Sequence, residues 1–209
     1  MRAFSPEFRD ELANLMRWRR DVRRFRTDPV PPEALARCLE AVRLAPSVGL
    51  SEPWRVVRVT SAAARAAALQ NFEAANARAL SGYQGDKAKV YAGLKLSGMR
   101  DAPEQLAFFC DDGTNKGAGL GAASMPEMRS YSVVSAITLM WLAARAEGLG
   151  LGWVSILDPH ALTQALDVPE SWHLVGYLCL GWPQLDSETP ELETAGWDTR
   201  STTLAVEER

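Results

Sequence analysis

The chain has 209 residues, 47% of them hydrophobic and 23% charged, the composition of an ordinary globular protein, so disorder as the dominant state is excluded and one folded unit over residues 1–209 is predicted. A formal net charge of −3 provides no global basic field to draw the molecule to nucleic acid or anionic lipid, and any polyanion must be held locally. Three widely spaced cysteines, Cys38, Cys110 and Cys179, with no CxxC and only His160 and His173 as imidazoles, argue against a zinc site or a disulfide framework.

The N-terminus meets charge at once and lacks the apolar core of a signal peptide. The longest apolar stretch, Val133 to Ala144, falls short of the roughly 20 residues that cross a bilayer. A reducing cytoplasm is the expected compartment.

In chain order, Phe8, Leu12, Leu15 and Met16 recur at helical spacing and predict an amphipathic helix to about Arg17. After a proline-rich entry, Leu35, Leu39 and Val42 mark a second helix that stops before Pro46. Residues 46–53 read as a loop, Trp54–Thr60 as a short strand and Ser61 to about Leu80 as an alanine-rich helix. The weakly periodic residues 81–101 are a candidate insertion or lid. Gln105–Cys110 is a buried-strand candidate, Gly113–Pro126 a glycine-rich loop, and Tyr131–Glu147 a nearly all-round apolar helix ended by Gly148. Leu149–Ile156 and Leu174–Gly181 read as strands, with a short helix between them capped by Asp158. The last 27 residues, 183–209, are acidic and aperiodic. Helices and strands mix without a βαβ repeat, so the predicted class is α+β, a small mixed or antiparallel sheet around one long buried helix.

The strongest chemical signal is Arg17–Arg26, with six arginines in ten residues. Arginine's planar fork suits phosphate bidentately and keeps its charge at any pH. A solvated basic turn at a helix C-terminus and, more remotely, a nucleic-acid arm are the other readings. Asp21, inside the cluster, should be held ionised by its neighbours and serve as a base only where a ligand excludes water. Ser155 ends an apolar strand, but without GxSxG or a placed histidine it does not indicate a serine hydrolase. The runs Gly117–Gly121 and Gly148–Gly152 fail the dinucleotide pattern, because the second follows a helix and enters a strand. Turns and close packing are the expectation for both.

Arg19-Arg20-Asp21-Val22-Arg23, Ala45-Pro46-Ser47-Val48-Gly49 followed by Pro53-Trp54, the helix through Trp141–Gly148, and Gly152-Trp153-Val154-Ser155-Ile156 together resemble the flavin-dependent nitroreductase superfamily, and within it the BluB branch, the 5,6-dimethylbenzimidazole synthases. The resemblance runs from about residue 6 to Gly196-Trp197 and Arg200. It implies an α+β homodimer with FMN at the subunit interface and residues 183–209 extending onto the partner. It also implies that Arg19 and Arg23, with Arg20 beside them, Val22 between them and Arg200 in the tail, contact FMN. Asp21 and Ser155 match the two polar residues facing the flavin, Asp21 to move protons and Ser155 to hydrogen-bond near N5. Ser47 and Gly49 match contacts near the ring. The acid at position 21, where ordinary nitroreductases carry serine or a similar neutral residue, points to the synthase branch. Its reaction consumes reduced FMN as substrate and O2 as co-substrate, giving 5,6-dimethylbenzimidazole, the lower ligand of cobalamin, and erythrose 4-phosphate. Reduced FMN would come from a separate reductase, the point at which NAD(P)H enters. The alternatives are a conventional NAD(P)H-dependent nitroreductase or reductive dehalogenase, and a non-catalytic flavin-binding module. One departure from the pattern is Glu52, where glutamine is usual before Pro-Trp.

Overall fold

The computed structural model describes residues 3–94 and 97–209. Its helices start where local chemistry satisfies their first N–H groups. Ser5 caps α1 (Pro6–Trp18) by accepting from Phe8 N at 3.2 Å, Ser61 caps α3 (Ala62–Ser81) from Ala64 N at 3.1 Å, and proline stands at the start of α2 (Pro32–Arg43). The expected loop after α2 contains a 3₁₀ turn, Val48–Leu50.

Four strands, β1 (Trp54–Arg58), β2 (Glu104–Asp111), β3 (Gly150–Val154) and β4 (Trp172–Gly181), form one sheet in the order β1-β2-β4-β3 with every neighbouring pair antiparallel. The two central strands are covered on both faces, which is why they read as unbroken apolar runs. Leu106, Phe108, Cys110, Leu178 and Leu180 pack toward α2 and α6 (Met128–Ala146), while Ala107, Phe109, Tyr177 and Cys179 point to the other side, where Phe72 of α3 and Leu162 of α7 (Pro159–Ala165) close the second core. This is the α+β architecture expected, as three layers with the sheet in the middle.

Helix α6 buries Ser132, Val133, Ala136, Ile137, Met140 and Ala144. Its outer face, with Tyr131, Val134 and Thr138, is exposed on this chain, so its apolar composition exceeds what one copy covers. The same holds for α1, which buries no residue and presents Phe8, Leu12 and Met16 at its surface.

Residues 81–101 are mostly helical, as α4 (Gly85–Gly93) and α5 (Gly98–Asp101); of the expected lid, residues 95 and 96 lie outside the described residues. The tail is not loose over its first half. Gln184 N donates to the Arg24 carbonyl at 3.1 Å, Arg145 pairs with Asp186 and Arg24 with Glu191 through the last helix, α8 (Glu191–Thr194), all within this chain. Trp197 then meets Tyr83 edge-on at 5.3 Å and receives Lys87 on its ring face at 4.6 Å. Trp197→Ala is expected to free the end of the tail, read as faster proteolytic cleavage at Arg200 with little change in melting temperature.

Candidate functional site

The glycines of β3 decide where the arginine segment lies. A Cβ on Gly150 would stand 2.6 Å from Val22 Cγ2, and one on Gly152 would overlap the Val22 carbonyl oxygen. With only hydrogens there, residues 20–25 lie flush on the strand. Val22 N donates to Leu151 O at 3.0 Å, and Asp21 bridges Leu151 in parallel sense. Close packing is thus the use of this glycine run. It turns Asp21 toward the strand end, where Oδ1 accepts from Trp153 N at 2.9 Å.

Two cavities flank this segment. The larger, about 310 Å³, is lined by Arg19, Arg20, Arg23 and Arg24 together with Trp141 and the tail residues Ser187 and Thr189. The smaller, about 170 Å³, brings Asp21, Val22, Arg23 and Ser155 together with Phe72, Met99 and Cys179. Asp21 and Ser155, 134 positions apart by their numbers in the chain, therefore face one space, and Arg23 lines both cavities.

Electrostatics in the larger cavity are unspent. Arg24 and Arg145 are neutralised by Glu191 and Asp186 of the tail. Arg19, Arg20 and Arg200 have no ion pair among the described residues; Arg19 stacks on Trp141 with its guanidinium 4.5 Å from the ring. Burial, and then the neighbouring cations, hold Arg20 below the usual arginine range, and Arg19 is lowered by burial with Arg200 contributing against the pull of Asp21. Arg200 therefore acts on the same space from the tail. Arg20 Nε and Arg23 Nη1 are buried with no hydrogen-bond partner among the described residues, an arrangement that favours an incoming anion.

The pKa of Asp21 moves in the opposite direction from the one its arginine neighbours predict. Its side chain keeps 40% of its surface, opening onto the cavity, and Arg23 Nε is 3.6 Å from Oδ2. Burial nevertheless raises its pKa above the usual carboxylate value, against the opposing pull of the Trp153 N–H, Arg23 and Arg19. Desolvation wins over the two cations because the recess withdraws water from the carboxyl group while neither guanidinium grips it closely. An acid so placed exchanges protons more readily than a tightly paired one.

Ser47 and Gly49 are not brought to either cavity by this chain. Ser47 Oγ accepts from Glu52 N at 3.1 Å, and Ser132 of α6 takes the Val48 N–H at 3.0 Å. Gly49, at φ +57°, lies so close to the glycine-rich loop that a Cβ would come within 2.7 Å of Leu120 O. Glu52, the departure noted above, is paired with Lys116 of that loop, so its charge is compensated. Phe72, Met99 and Cys179 are cavity residues that the sequence reading missed. Each belongs to an ordinary apolar pattern, and no local signal separates it from core.

The chain matches the model of the Nitroreductase family over residues 16–182. It is 55% identical over 197 residues to the 5,6-dimethylbenzimidazole synthase of Rhodospirillum rubrum, covering 94% of this chain and 93% of that one, and 50% identical over 194 residues to the enzyme of the same name from Rhodobacter capsulatus, covering 93% and 94%. Among solved structures it is similar in fold to an iodotyrosine deiodinase bound to FMN and 3-iodo-L-tyrosine, with a TM-score of 0.76 at 20% identity over 95% of this chain and 99% of that one. By the arginine segment seated on β3, by the sheet and its helices, and by these relatives, the chain belongs to the nitroreductase family, in the branch of the 5,6-dimethylbenzimidazole synthases.

Proposed function

We propose that the protein is a 5,6-dimethylbenzimidazole synthase that takes reduced FMN as substrate and O2 as co-substrate and releases erythrose 4-phosphate as the second product. The observation that carries this reading is the meeting of Asp21 and Ser155 in one recess beside an unpartnered buried nitrogen of Arg23, in a chain half identical to synthases of that name.

The residues present fit the flavin. Its phosphate has candidate ligands in Arg19, Arg20, Arg23 and Arg200, and the buried Arg20 Nε and Arg23 Nη1 gain the acceptors they lack. Reduced FMN supplies the electrons for oxygen and the ring atoms of the product. In this reading Asp21 holds or moves a proton at its carboxyl, steered by the Trp153 N–H, and the Ser155 hydroxyl orients the ring from the same cavity wall. Phe72, Met99 and Val154 line that wall with apolar surface and exclude water, which strengthens each polar contact inside.

We take the partner to be a second copy of the chain. The apolar stripe of α1 and the outer face of α6 are uncovered here, and a second copy is the source from which Ser47 and Gly49 would reach the flavin. Reduced FMN would be supplied by a separate reductase using NAD(P)H, and the compartment would be a reducing cytoplasm. Among the described residues, no helix is long and apolar enough to cross a membrane, and the cysteines are free.

The test is to mix the protein with FMN photoreduced under argon, admit air, and analyse the small molecules by chromatography with mass detection. Formation of 5,6-dimethylbenzimidazole with loss of flavin is expected. Intact FMN with only hydrogen peroxide would reject the reading in favour of a conventional nitroreductase. Replacing Arg200 or Arg23 by alanine is expected to weaken FMN binding by about ten- to a hundredfold, since a hydrogen bond to a charged group contributes about 1.5–3 kcal/mol. Riboflavin binding should hardly change on losing Arg200. Fluorescence titration with both flavins measures the difference, and equal losses for the two would remove Arg200 from the phosphate site.

A further inference from the structure

A second constellation lies on the α6 face of the sheet, opposite the face that carries Phe72, Met99 and Cys179 of the Asp21 cavity. Cys110 lies near the end of β2, and Asp112 stands in the turn just beyond the strand's last residue, Asp111. In the β2–β4 ladder His173 is the direct partner of Cys110. Strand register thus brings Cys110 and His173 together, and the turn after β2 adds Asp112. Cys110 Sγ is 3.7 Å from Asp112 Oδ1, His173 Nδ1 is 2.7 Å from Asp112 Oδ2, and one donor atom of each lies within 4.8 Å of the others.

The surroundings have the form of a metal site. Cys110 is fully buried, whereas the His173 and Asp112 side chains are 43% and 53% exposed, which leaves an entry path and room for water as a further ligand. His173 Nε2 lies 2.8 Å from Ser130 Oγ in the first turn of α6, the kind of outer contact that fixes a ligating imidazole's orientation. A sulfur, a nitrogen and a carboxylate oxygen suit Zn²⁺ or Co²⁺ and not Mg²⁺ or Ca²⁺, which prefer all-oxygen shells. One cation stands close by: Arg129 Nη1 donates to the Asp112 carbonyl oxygen at 3.4 Å, and its charge works against a bound divalent ion.

We propose that Cys110, Asp112 and His173 form a binding site for a divalent transition-metal ion of the Zn²⁺ type, oriented by Ser130 and weakened by Arg129. The order Ser130–His173–Asp112 is also that of a nucleophilic triad. The thiol favours the metal, because it adds a third donor where a triad has no use for one. Sequence spacing conceals the site, since Asp112 and His173 are 61 residues apart and no CxxC marks it.

The experiment uses the full, untagged chain, stripped with chelator and titrated with Co²⁺. One equivalent is expected to produce a thiolate-to-cobalt charge-transfer band in the near ultraviolet with tetrahedral d–d absorption, and Zn²⁺ should bleach both. Asp112→Asn, at an exposed position, is expected to weaken binding at least tenfold, Cys110→Ser to remove the charge-transfer band, and Arg129→Gln to tighten binding. No charge-transfer band in the parent chain, or a band of undiminished affinity in Asp112→Asn, overturns the site. So does labelling of Ser130 by a fluorophosphonate probe without cobalt binding, which would assign the triad. These readouts need no flavin, so their outcome is independent of the proposed synthase activity.

Discussion

Asp21→Asn is expected to bind FMN nearly as well as the parent and to form 5,6-dimethylbenzimidazole at least a hundredfold more slowly, in line with the roughly 10²–10⁴-fold contributed by a positioned acid or base. Asparagine keeps the shape of the side chain, and its Oδ1 can still accept the Trp153 N–H, so the fold and the phosphate site are left in place while proton exchange is lost. The same substitution should raise the melting temperature. Burial raises the Asp21 pKa, so the folded state holds its proton to higher pH than the unfolded state does. Stability is lost as pH rises from the ordinary carboxylate range through that raised value, and above it the ionised carboxylate imposes a constant cost. Asparagine carries no such cost. The difference in melting temperature between variant and parent should therefore grow with pH across that window and level off above it. Calorimetry at several pH values measures it, alongside product formation by chromatography. A variant that makes product at the parent rate would remove Asp21 from the chemistry, and one that melts lower at neutral pH would contradict the desolvation account.

Gly152→Ala is the second large effect. The new methyl group would overlap the Val22 carbonyl oxygen, which is backbone and cannot rotate aside. The segment must lift, breaking the Val22 N to Leu151 O and Trp153 N to Asp21 contacts. A loss of about 3 kcal/mol is expected, at the upper end of overpacking costs, with FMN affinity falling more than tenfold because Arg19, Arg20 and Arg23 move with the segment. Gly93→Ala is the control. Among the described residues nothing lies within 4 Å of its added Cβ, and at the end of α4 alanine's higher helix propensity should leave stability unchanged or slightly raised. Urea unfolding and flavin titration of the two variants separate the cases. Equal behaviour would mean that the arginine segment is not seated by β3.

The fold was legible in the sequence wherever one local rule governed it. Ser61 and Asp158 announced helix starts, Gly148 ended α6, and the apolar runs of β2 and β4 were strands buried on both faces. The arginine cluster stood out because six guanidinium groups in ten residues have few structural uses. Other features depended on which segments come together. Gly150 and Gly152 read as close packing, but that their neighbour is Val22 follows only from the arginine segment lying on β3. The tail looked aperiodic because its order comes from Arg24, Arg145, Tyr83 and Lys87, contacts that leave no periodicity. Asp21 read as held ionised by its arginine neighbours except where water is excluded, and sequence shows those charges but not the burial that raises its pKa. His173 had no role until the strand register placed it against Cys110.

By itself, then, the sequence determined the elements, the α+β class and the concentration of cationic charge over residues 19–23, because hydrophobic period, capping and local charge are properties of adjacent residues. Only the tertiary structure decided that Asp21 shares a recess with Ser155, that Arg200 adds its charge to the arginine cavity, and that Cys110, Asp112 and His173 meet, because each of these depends on strand register and on burial, which no stretch of adjacent residues encodes.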